Sequence, residues 1–265
     1  MRQIKIIGLP TDTNSSFLKG SAKAPRLVRE MIWSEKGNSA AELGGSLDDN
    51  IQLIDGGDLN LSGDAADHLL IEAAIGRALS DGFMPISIGG DHAVTYPILK
   101  SVAKHHGPVS ILHLDAHPDI YDDFEGNPLS HASPFARIME EGLAKRLVQV
   151  GIRTLNAHQR EQAERFGVEI VPMRSFTPSA VPIPEGPLYI SIDLDGLDPA
   201  FAPGVSHHEP GGLSVREVLD LLDKVNQPVI GADVVEYNPD RDINEMTCSV
   251  AAKLVREIAS IASRS

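Results

Sequence analysis

Short apolar runs alternate along this chain with segments of helical periodicity, and most of the connections between them are short. A run such as 109–114 is apolar at most positions, which is typical of a strand covered by helices on both faces. Segment 65–81 instead places Leu and Ala at spacings of three and four, the pattern of an amphipathic helix. The alternation predicts an α/β protein with a mostly parallel sheet flanked by helices.

The same patterns give bounds for the individual elements. Residues 55–58 (Asp-Gly-Gly-Asp) read as a turn, and residues 35–50 and 174–187 as connections. The predicted strands are 3–8, 51–54, 84–88, 109–114, 147–152, 169–172, 188–192 and 229–235. The predicted helices are 24–32, 65–81, 96–104, 135–142, 157–166, 215–225 and 246–262.

Acidic residues and histidines follow four of the predicted strands. His92 comes after strand 84–88, and Asp115 comes directly after 109–114. Asp193 and Glu236 follow the strands that end at 192 and 235. Because ligands of open α/β sheets bind beyond the carboxyl ends of the strands, we expect these residues to share one site.

The spacing after strand 109–114 indicates a metal centre. Asp115, His117 and Asp119 are two residues apart and so lie on one side of an extended segment. Neighbouring carboxylates repel, and one would be driven neutral unless a cation lies between them. The full set is too large for one ion but suits two, which would also lower the pKa of a bound water and supply a nucleophile. The predicted ligands are His92, Asp115, His117, Asp119, Asp193 and Asp195.

Each of these signals alone has a structural explanation. A single His after Gly-Gly-Asp can cap a helix, and Asp-x-Asp after a strand is a common turn. Asp91 and Asp198 are interpreted as loop-fixing residues. The joint occurrence of the clusters at successive strand ends favours the metal site. Oxygen-rich ligation with one imidazole per ion favours Mn²⁺ over structural Zn²⁺.

Composition narrows the possible partners. The net charge is −14, from 23 basic and 37 acidic residues, which argues against nucleic acid or an anionic membrane as partner. An acidic field could favour a cationic substrate, although solubility is its ordinary explanation. The single cysteine, Cys248, excludes an internal disulfide and is expected as a packed core thiol. The first residues lack the features of a secretory signal, and no apolar run is long enough to span a bilayer, so we expect a soluble, cytoplasmic protein.

Three motifs resemble those of the ureohydrolase family, which contains arginase and agmatinase. They are Gly-Gly-Asp-His at 89–92, Asp-Ala-His-Pro-Asp at 115–119 and Ser-Ile-Asp-Leu-Asp-Gly-Leu-Asp-Pro at 191–199. The resemblance runs nearly end to end, so we expect a single domain over residues 1–265. Further segments are similar to plant-type arginases in particular: 14–20, 124–127, 130–140, 203–214 and 231–239.

The resemblance implies a three-layer α/β/α sandwich of the arginase/deacetylase kind, two Mn²⁺ per subunit and hydrolysis of a guanidino group to urea and an amine. It also implies assembly as a homotrimer or homohexamer. By this likeness His92, Asp115, Asp119 and Asp193 hold one ion. Asp115, His117, Asp193 and Asp195 hold the other, so that Asp115 and Asp193 bridge.

The resemblance also assigns the catalytic residues. Glu236 corresponds to the glutamate that binds the guanidinium, His131 to the histidine that moves a proton, and Asp119 completes the predicted catalytic set. The chemistry agrees, because a carboxylate can pair with two nitrogens of a planar cation and an imidazole can protonate a leaving amine. From the residues alone, a loop-packing role for His131 and a strand-end ion pair for Glu236 stay open.

The predicted substrate is a small cationic guanidino compound, with L-arginine favoured over agmatine or a guanidino acid. Asn127 and His207 are predicted substrate contacts beside Glu236 and His131. Tyr121-Asp122 follow the Asp-Ala-His motif as in agmatinases and plant-type arginases, and Ser-His-His-Glu at 206–209 replaces the family's Gly-Thr-Pro. A Glu or His there would bind an amino group or line the pocket rim. A zinc deacetylase with one metal and a non-catalytic binding protein are the alternatives from other classes.

Overall fold

The computed structural model of the 265-residue chain describes residues 2–38, 40–46, 51–64 and 66–264. Within these ranges the strands are β1 (Arg2–Leu9), β2 (Ala40–Ala41), β3 (Gly45–Ser46), β4 (Ile51–Asp58), β5 (Met84–Gly89), β6 (Val109–Leu114), β7 (Ala144–Ile152), β8 (Glu169–Pro172), β9 (Leu188–Asp193) and β10 (Val229–Val235). The helices are α1 (Ala24–Ile32), α2 (Asp67–Ser80), α3 (Thr95–His106), α4 (Pro134–Glu140), α5 (Ala157–Phe166), α6 (Val215–Asp223) and α7 (Met246–Ala262).

Eight of the described strands form one sheet in the order β4-β1-β5-β10-β9-β6-β7-β8, and every neighbouring pair is parallel. The predicted parallel α/β sheet is therefore confirmed. The strands β5, β10, β9 and β6 are consecutive at the centre of the sheet, although β9 and β10 come much later in the sequence than β5 and β6. Their carboxyl ends consequently meet at one place on the sheet edge.

The sheet lies between two hydrophobic cores, and alternate residues of a strand contribute to opposite ones. Ile4 and Ile6 of β1 belong to the core formed with α1, α6 and α7. Ile7 and Leu9 belong to the other core, formed with α2, α3 and α4. This arrangement confirms the three-layer α/β/α architecture. Cys248 is buried in the first core, which confirms the predicted packed thiol.

The prediction of a turn at residues 55–58 is wrong, because β4 continues through Asp58. β4 pairs with β1 as far as Gly8 and Asp58, with an irregularity between Ile6 and Gly8. Arg29 of α1 stabilises this edge, since its Nη1 lies 2.6 Å from Asp55 and its Nε lies 3.0 Å from Asp58. Pairing with β1 and ion pairs from a neighbouring helix thus hold this sequence in the strand, with a local kink at Gly57, whose φ is 75° and whose N–H donates to Asp55.

The connection predicted over 35–50 contains a small antiparallel pair, β2 and β3. Positions 39 and 47–50 of that prediction lie outside the described residues. The other element bounds agree with the predicted ones to within about three residues. In the described part of the chain, no helix combines the length and apolar character needed to cross a membrane.

Candidate metal centre and substrate pocket

His92 lies at the middle of the central carboxyl edge. Its Nδ1 is 3.2 Å from Asp115 Oδ2, 3.0 Å from Asp119 Oδ2 and 3.1 Å from Asp193 Oδ2. Nδ1 is buried and has no hydrogen-bond partner among the described residues. Three carboxylate oxygens therefore converge on one imidazole nitrogen, an arrangement that fits a cation. We call His92, Asp115, Asp119 and Asp193 the His92 cluster.

The hydrogen bonds behind His92 determine its tautomer. Its Nε2 is 3.0 Å from Ser191 Oγ, and the Ser191 hydroxyl donates to Asp233 Oδ1 at 2.6 Å. Because that hydroxyl proton is directed to Asp233, Ser191 accepts the proton of Nε2. In the neutral ring Nδ1 is then the nitrogen with the lone pair that a metal ligand requires. Burial lowers the pKa of His92, but the three carboxylates outweigh it and raise that pKa well above its usual range, so a metal ion would replace a proton on Nδ1. Asp233 is satisfied by two further hydroxyls, from Thr95 and Tyr189.

A second group, Asp115, His117 and Asp195, lies beside the first, and we call it the His117 cluster. His117 Nδ1 is 3.1 Å from Asp195 Oδ2 and 3.4 Å from Asp115 Oδ1. Asp115 thus directs one oxygen to each cluster, as a bridging carboxylate would. Asp193 differs, because its Oδ2 faces His92 while its Oδ1 accepts from the Asp195 N–H at 2.8 Å. A bridging role for Asp193 stays a prediction.

The electrostatics of the clusters call for a counter-charge. Burial, followed by the neighbouring Asp195 and Asp115 carboxylates, raises the pKa of Asp193 well above its usual range. Burial also raises the pKa of Asp195, to about 6. The donor set of buried carboxylate oxygens and imidazole nitrogens fits two divalent ions, which would offset both effects.

His113 is a residue of the site that the sequence interpretation missed. It lies on β6, and its ring is 2.8 Å from Asp115 Oδ2 through Nε2. Gln149 Nε2 donates to the Pro118 carbonyl at 2.6 Å and lies 3.0 Å from His113 Nδ1. The amide therefore donates to Nδ1, and His113 donates from Nε2 to Asp115. The alternation that groups Asp115, His117 and Asp119 also includes His113 and could have found it.

His131 and Glu236 form a buried pair next to the His92 cluster. His131 Nδ1 is 2.8 Å from Glu236 Oε1, which also accepts the His92 backbone N–H at 2.8 Å. His131 Nε2 accepts the backbone N–H of Ser16 at 3.1 Å and lies 2.8 Å from its hydroxyl. Burial lowers the pKa of His131, but the charge of Glu236 outweighs it and raises the pKa to about 9. At Glu236, burial raises the pKa of the carboxyl, but the charge of His131 outweighs it and lowers the pKa.

Two acidic residues at the centre have left-handed backbone conformations. Asp119 has a φ of 47° and Glu236 a φ of 64°. Such conformations are strained for residues with a side chain, and they persist where the surroundings fix them. Phe135 N–H donates to the Asp119 carbonyl, and Glu236 N–H donates to the Gly90 carbonyl at 2.8 Å. The strain directs both carboxylates toward His92 and His131.

A pocket of about 220 Å³ opens over both clusters. Its lining includes the predicted residues His117, Asp119, His131, Asp193, Asp195, His207 and Glu236. Asn127 is not part of that lining, because its side chain donates to Asn14 Oδ1 and accepts the Leu129 N–H. Its predicted contact with substrate is not tested by these hydrogen bonds and stays a prediction.

The loops around the pocket are held by charged side chains through backbone groups. Asp198 accepts the N–H groups of Ala200, Gly211 and Gly212, and Asp91 accepts those of Asn14 and Ala93. Both contacts agree with the predicted loop-fixing roles. Arg153 has no predicted role, yet its guanidinium donates to the carbonyls of Gly151, Asp195, Gly196, Leu197 and Glu209.

The fold and the site together define a class: a three-layer α/β/α protein whose parallel sheet carries a carboxylate- and imidazole-rich centre able to bind metal. The chain belongs to the arginase family, whose model matches residues 2–260, and it is an enzyme of the ureohydrolase type.

Individual relatives support the plant-type likeness. The chain is 51% identical to "Arginase 1, mitochondrial" of Arabidopsis thaliana, over 96% of this chain and 80% of that protein. The solved structure of arginase from Medicago truncatula superposes with a TM-score of 0.90 at 42% identity, covering 98% of this chain and 87% of that one. An agmatinase of Bacillus anthracis is more distant, at 34% identity over 97% of this chain and 90% of its own length.

The prediction of a cytoplasmic location is wrong by these comparisons, because several of the plant arginases carry "mitochondrial" or "chloroplastic/mitochondrial" in their names. The prediction relied on one cysteine and on missing secretory and membrane-spanning features. Those features do not distinguish the cytoplasm from the interior of an organelle, since proteins of both compartments share them.

Proposed function

We propose that this enzyme hydrolyses L-arginine to L-ornithine and urea. The observation that carries the proposal is the Glu236 carboxylate, buried at the wall of the pocket beside both clusters. A guanidinium is a planar cation, and a carboxylate that accepts from two of its nitrogens orients it and selects for it. The plant arginases at about 50% identity favour arginine over other guanidino compounds.

We propose two Mn²⁺ per subunit as the cofactors. His92, Asp115, Asp119 and Asp193 would hold one ion, and Asp115, His117 and Asp195 would hold the other, with Asp193 as a further bridging ligand. The oxygen-rich donor set supports manganese over zinc. When bound, the two ions supply a nucleophile by lowering the pKa of a water molecule, and they stabilise negative charge that develops on the substrate.

Glu236 orients the guanidinium in this proposal. Its Oε1 is occupied by the His131 ring and the His92 backbone N–H, so Oε2 is the oxygen left to accept from the substrate. The left-handed backbone of Glu236 fixes the direction of the carboxylate before substrate binds. Preorganisation of this kind places the central carbon of the guanidinium over the clusters at a low entropic cost.

His131 would protonate the departing amine, which cannot leave as an anion. Its Nδ1 is held by Glu236, so the proton that it delivers is carried on Nε2. In the structure Nε2 accepts from the Ser16 backbone, a geometry that suits the neutral imidazole, while the charge of Glu236 raises the pKa of His131 to about 9 and favours the protonated ring. Protonation of Nε2 therefore displaces the Ser16 N–H, while the Ser16 hydroxyl can change from donor to acceptor and stay in place.

Urea release from the Mn-loaded enzyme, measured side by side with L-arginine, agmatine and 4-guanidinobutanoate, tests the proposal. We expect the highest kcat/KM with L-arginine. Agmatine is the second candidate, because an agmatinase is among the relatives and Tyr121, which follows the Asp-Ala-His motif as in agmatinases, lines the pocket. Turnover of arginine orders of magnitude below that of agmatine would refute the leading assignment.

We also propose that the protein assembles as a homotrimer or homohexamer, as the family likeness implies. Light scattering coupled to size-exclusion chromatography measures the mass directly. A mass near 28.5 kDa, that of one chain, would contradict the assembly.

A further inference from the structure

The lining of the pocket contains one carboxylate that the chemistry described above does not use. Asp119, Asp193, Asp195 and Glu236 all lie at the metal end of the lining, and the remaining acid in the lining is Glu209. In the described part of the chain, the Glu209 side chain makes no hydrogen bond and no ion pair. Its charge acts on the neighbouring Arg153 guanidinium without a direct contact, so its oxygens remain open to a ligand.

Glu209 belongs to the rim loop, which we define as residues 203–212. Arg153 donates to the Glu209 carbonyl from Nε at 2.9 Å and from Nη2 at 2.5 Å. The same guanidinium donates to the Asp195 carbonyl at 2.7 Å and to the Gly196 carbonyl at 3.1 Å. One rigid side chain thus sets the spacing between a residue of the His117 cluster and Glu209.

The rest of the rim loop is equally fixed. Asp198 accepts the Gly211 N–H at 2.6 Å, and Ser206 donates to the Leu18 carbonyl at 2.9 Å. The His207 ring packs against Phe17 and His131, with ring centroids 5.3 and 5.7 Å apart. These contacts use backbone groups and other side chains, so a change of the Glu209 carboxylate leaves the loop in place.

The charges of the lining discriminate among guanidino compounds. No lysine or arginine is present among the described residues that line the pocket, so a substrate carboxylate has no fixed cation to pair with. Neutral donors are available instead from Tyr121 and Gln159, which also line the pocket and whose side chains only accept hydrogen bonds among the described residues. A substrate ammonium group, in contrast, meets the Glu209 carboxylate, whose oxygens make no hydrogen bond among the described residues.

We propose that Glu209 is a specificity residue that binds the ammonium group of the substrate, at the end opposite the guanidinium. This inference rests on the proposed function. L-Arginine and agmatine both carry that ammonium group, and 4-guanidinobutanoate carries only a carboxylate. Glu209 therefore favours amine-bearing substrates over guanidino acids, while the neutral donors accommodate the α-carboxylate of arginine.

Steady-state urea release tests the proposal with Glu209→Gln, Glu209→Lys and, as control, Glu161→Gln. The control removes one exposed acid from α5 without touching the pocket lining. Loss of a charge-assisted hydrogen bond predicts that Glu209→Gln raises KM about 10- to 100-fold for L-arginine and agmatine, with kcat nearly unchanged. Activity on 4-guanidinobutanoate is expected to stay constant in Glu209→Gln and to rise in Glu209→Lys. The control matches the wild type on all three compounds.

The outcomes separate this proposal from the one it rests on. A wild-type enzyme that releases no urea from any of the three compounds would overturn the proposed function and the role of Glu209 together. The role of Glu209 alone would be overturned if the wild type hydrolyses arginine and Glu209→Gln keeps the wild-type KM for it. The same holds if Glu209→Gln raises KM equally for all three compounds.

Discussion

Substitution of Ser191 by alanine tests whether the hydrogen bonds behind His92 prepare it as a metal ligand. The change removes the hydroxyl that accepts from His92 Nε2 and donates to Asp233 Oδ1. The Nε2–H is then buried without an acceptor. The neutral ring then favours the tautomer that keeps its proton on Nδ1, facing the three carboxylates of the His92 cluster. A protonated Nδ1 cannot bind metal.

The expected loss of stability in Ser191→Ala follows from the polar groups that the substitution leaves without partners. One buried donor and one carboxylate oxygen each lose a hydrogen bond, at about 1–3 kcal/mol per unsatisfied group. Asp233 keeps its bonds from Thr95 and Tyr189, so the lower part of this range applies to it. We expect the free energy of unfolding to fall by about 2–4 kcal/mol in metal-free protein. We expect the affinity for Mn²⁺ to fall about 10- to 100-fold.

Ser87→Ala is a matched control. Ser87 on β5 and Ser191 on β9 are both paired in register with Asp233 of β10, and both are fully buried. The Ser87 hydroxyl, however, has no hydrogen-bond partner among the described residues. Its removal is expected to be neutral or slightly stabilising.

Urea denaturation of the metal-free variants gives the free energy of unfolding, and calorimetric titration gives the affinity for Mn²⁺. If Ser191→Ala matches Ser87→Ala in both unfolding free energy and metal affinity, the hydrogen-bond chain does not determine the state of His92.

Three further predictions concern the same centre. Asp115→Ala is expected to lose both metals and all turnover, since Asp115 directs one oxygen to each cluster; two Mn per chain by elemental analysis would contradict the bridge. Gln149→Leu frees the His113 ring, and calorimetry is expected to show about 10- to 100-fold weaker Mn²⁺ binding, whereas unchanged affinity would exclude a positioning role. Glu236 raises the pKa of His131 to about 9 from an unfolded value of about 6.5, so the stability gained from the pair is complete below pH ~6.5 and is lost as pH rises through ~9. The difference in unfolding free energy between wild type and Glu236→Gln should accordingly shrink from pH 6 to pH 10; a constant difference would refute the coupling.

Spacing within a segment predicted much of the metal centre. Asp115, His117 and Asp119 are close because they follow one strand at alternate positions, and that regularity is visible without a structure. The convergence of His92 and Asp193 on them required only that parallel strands end at a common edge. The predicted parallel sheet and the buried Cys248 followed from the same local patterns.

Contacts between distant segments were not predictable in this way. Ser16 meets His131 across 115 positions, and Ser191 meets His92 across 99, by hydrogen bonds that depend on the packing of whole elements. Asp233 offered a signal that the sequence interpretation did not use, since a carboxylate inside an otherwise apolar strand must find buried donors. The turn at 55–58 failed for a related reason, because the pairing of β4 and the charge of Arg29 override the local preference of Asp-Gly-Gly-Asp.

The order of the strands has a consequence for biosynthesis. β9 and β10 lie between β6 and β5, yet they are the last two strands to leave the ribosome. Until then a nascent chain holds two half-sheets with unpaired inner edges, a condition that favours slow folding and aggregation. Asp193, Asp195 and Glu236 arrive on those final strands, so the ion-binding centre cannot be completed before translation is nearly finished. Insertion of the central strand pair and acquisition of metal are therefore expected to be one coupled, late event in the maturation of this protein.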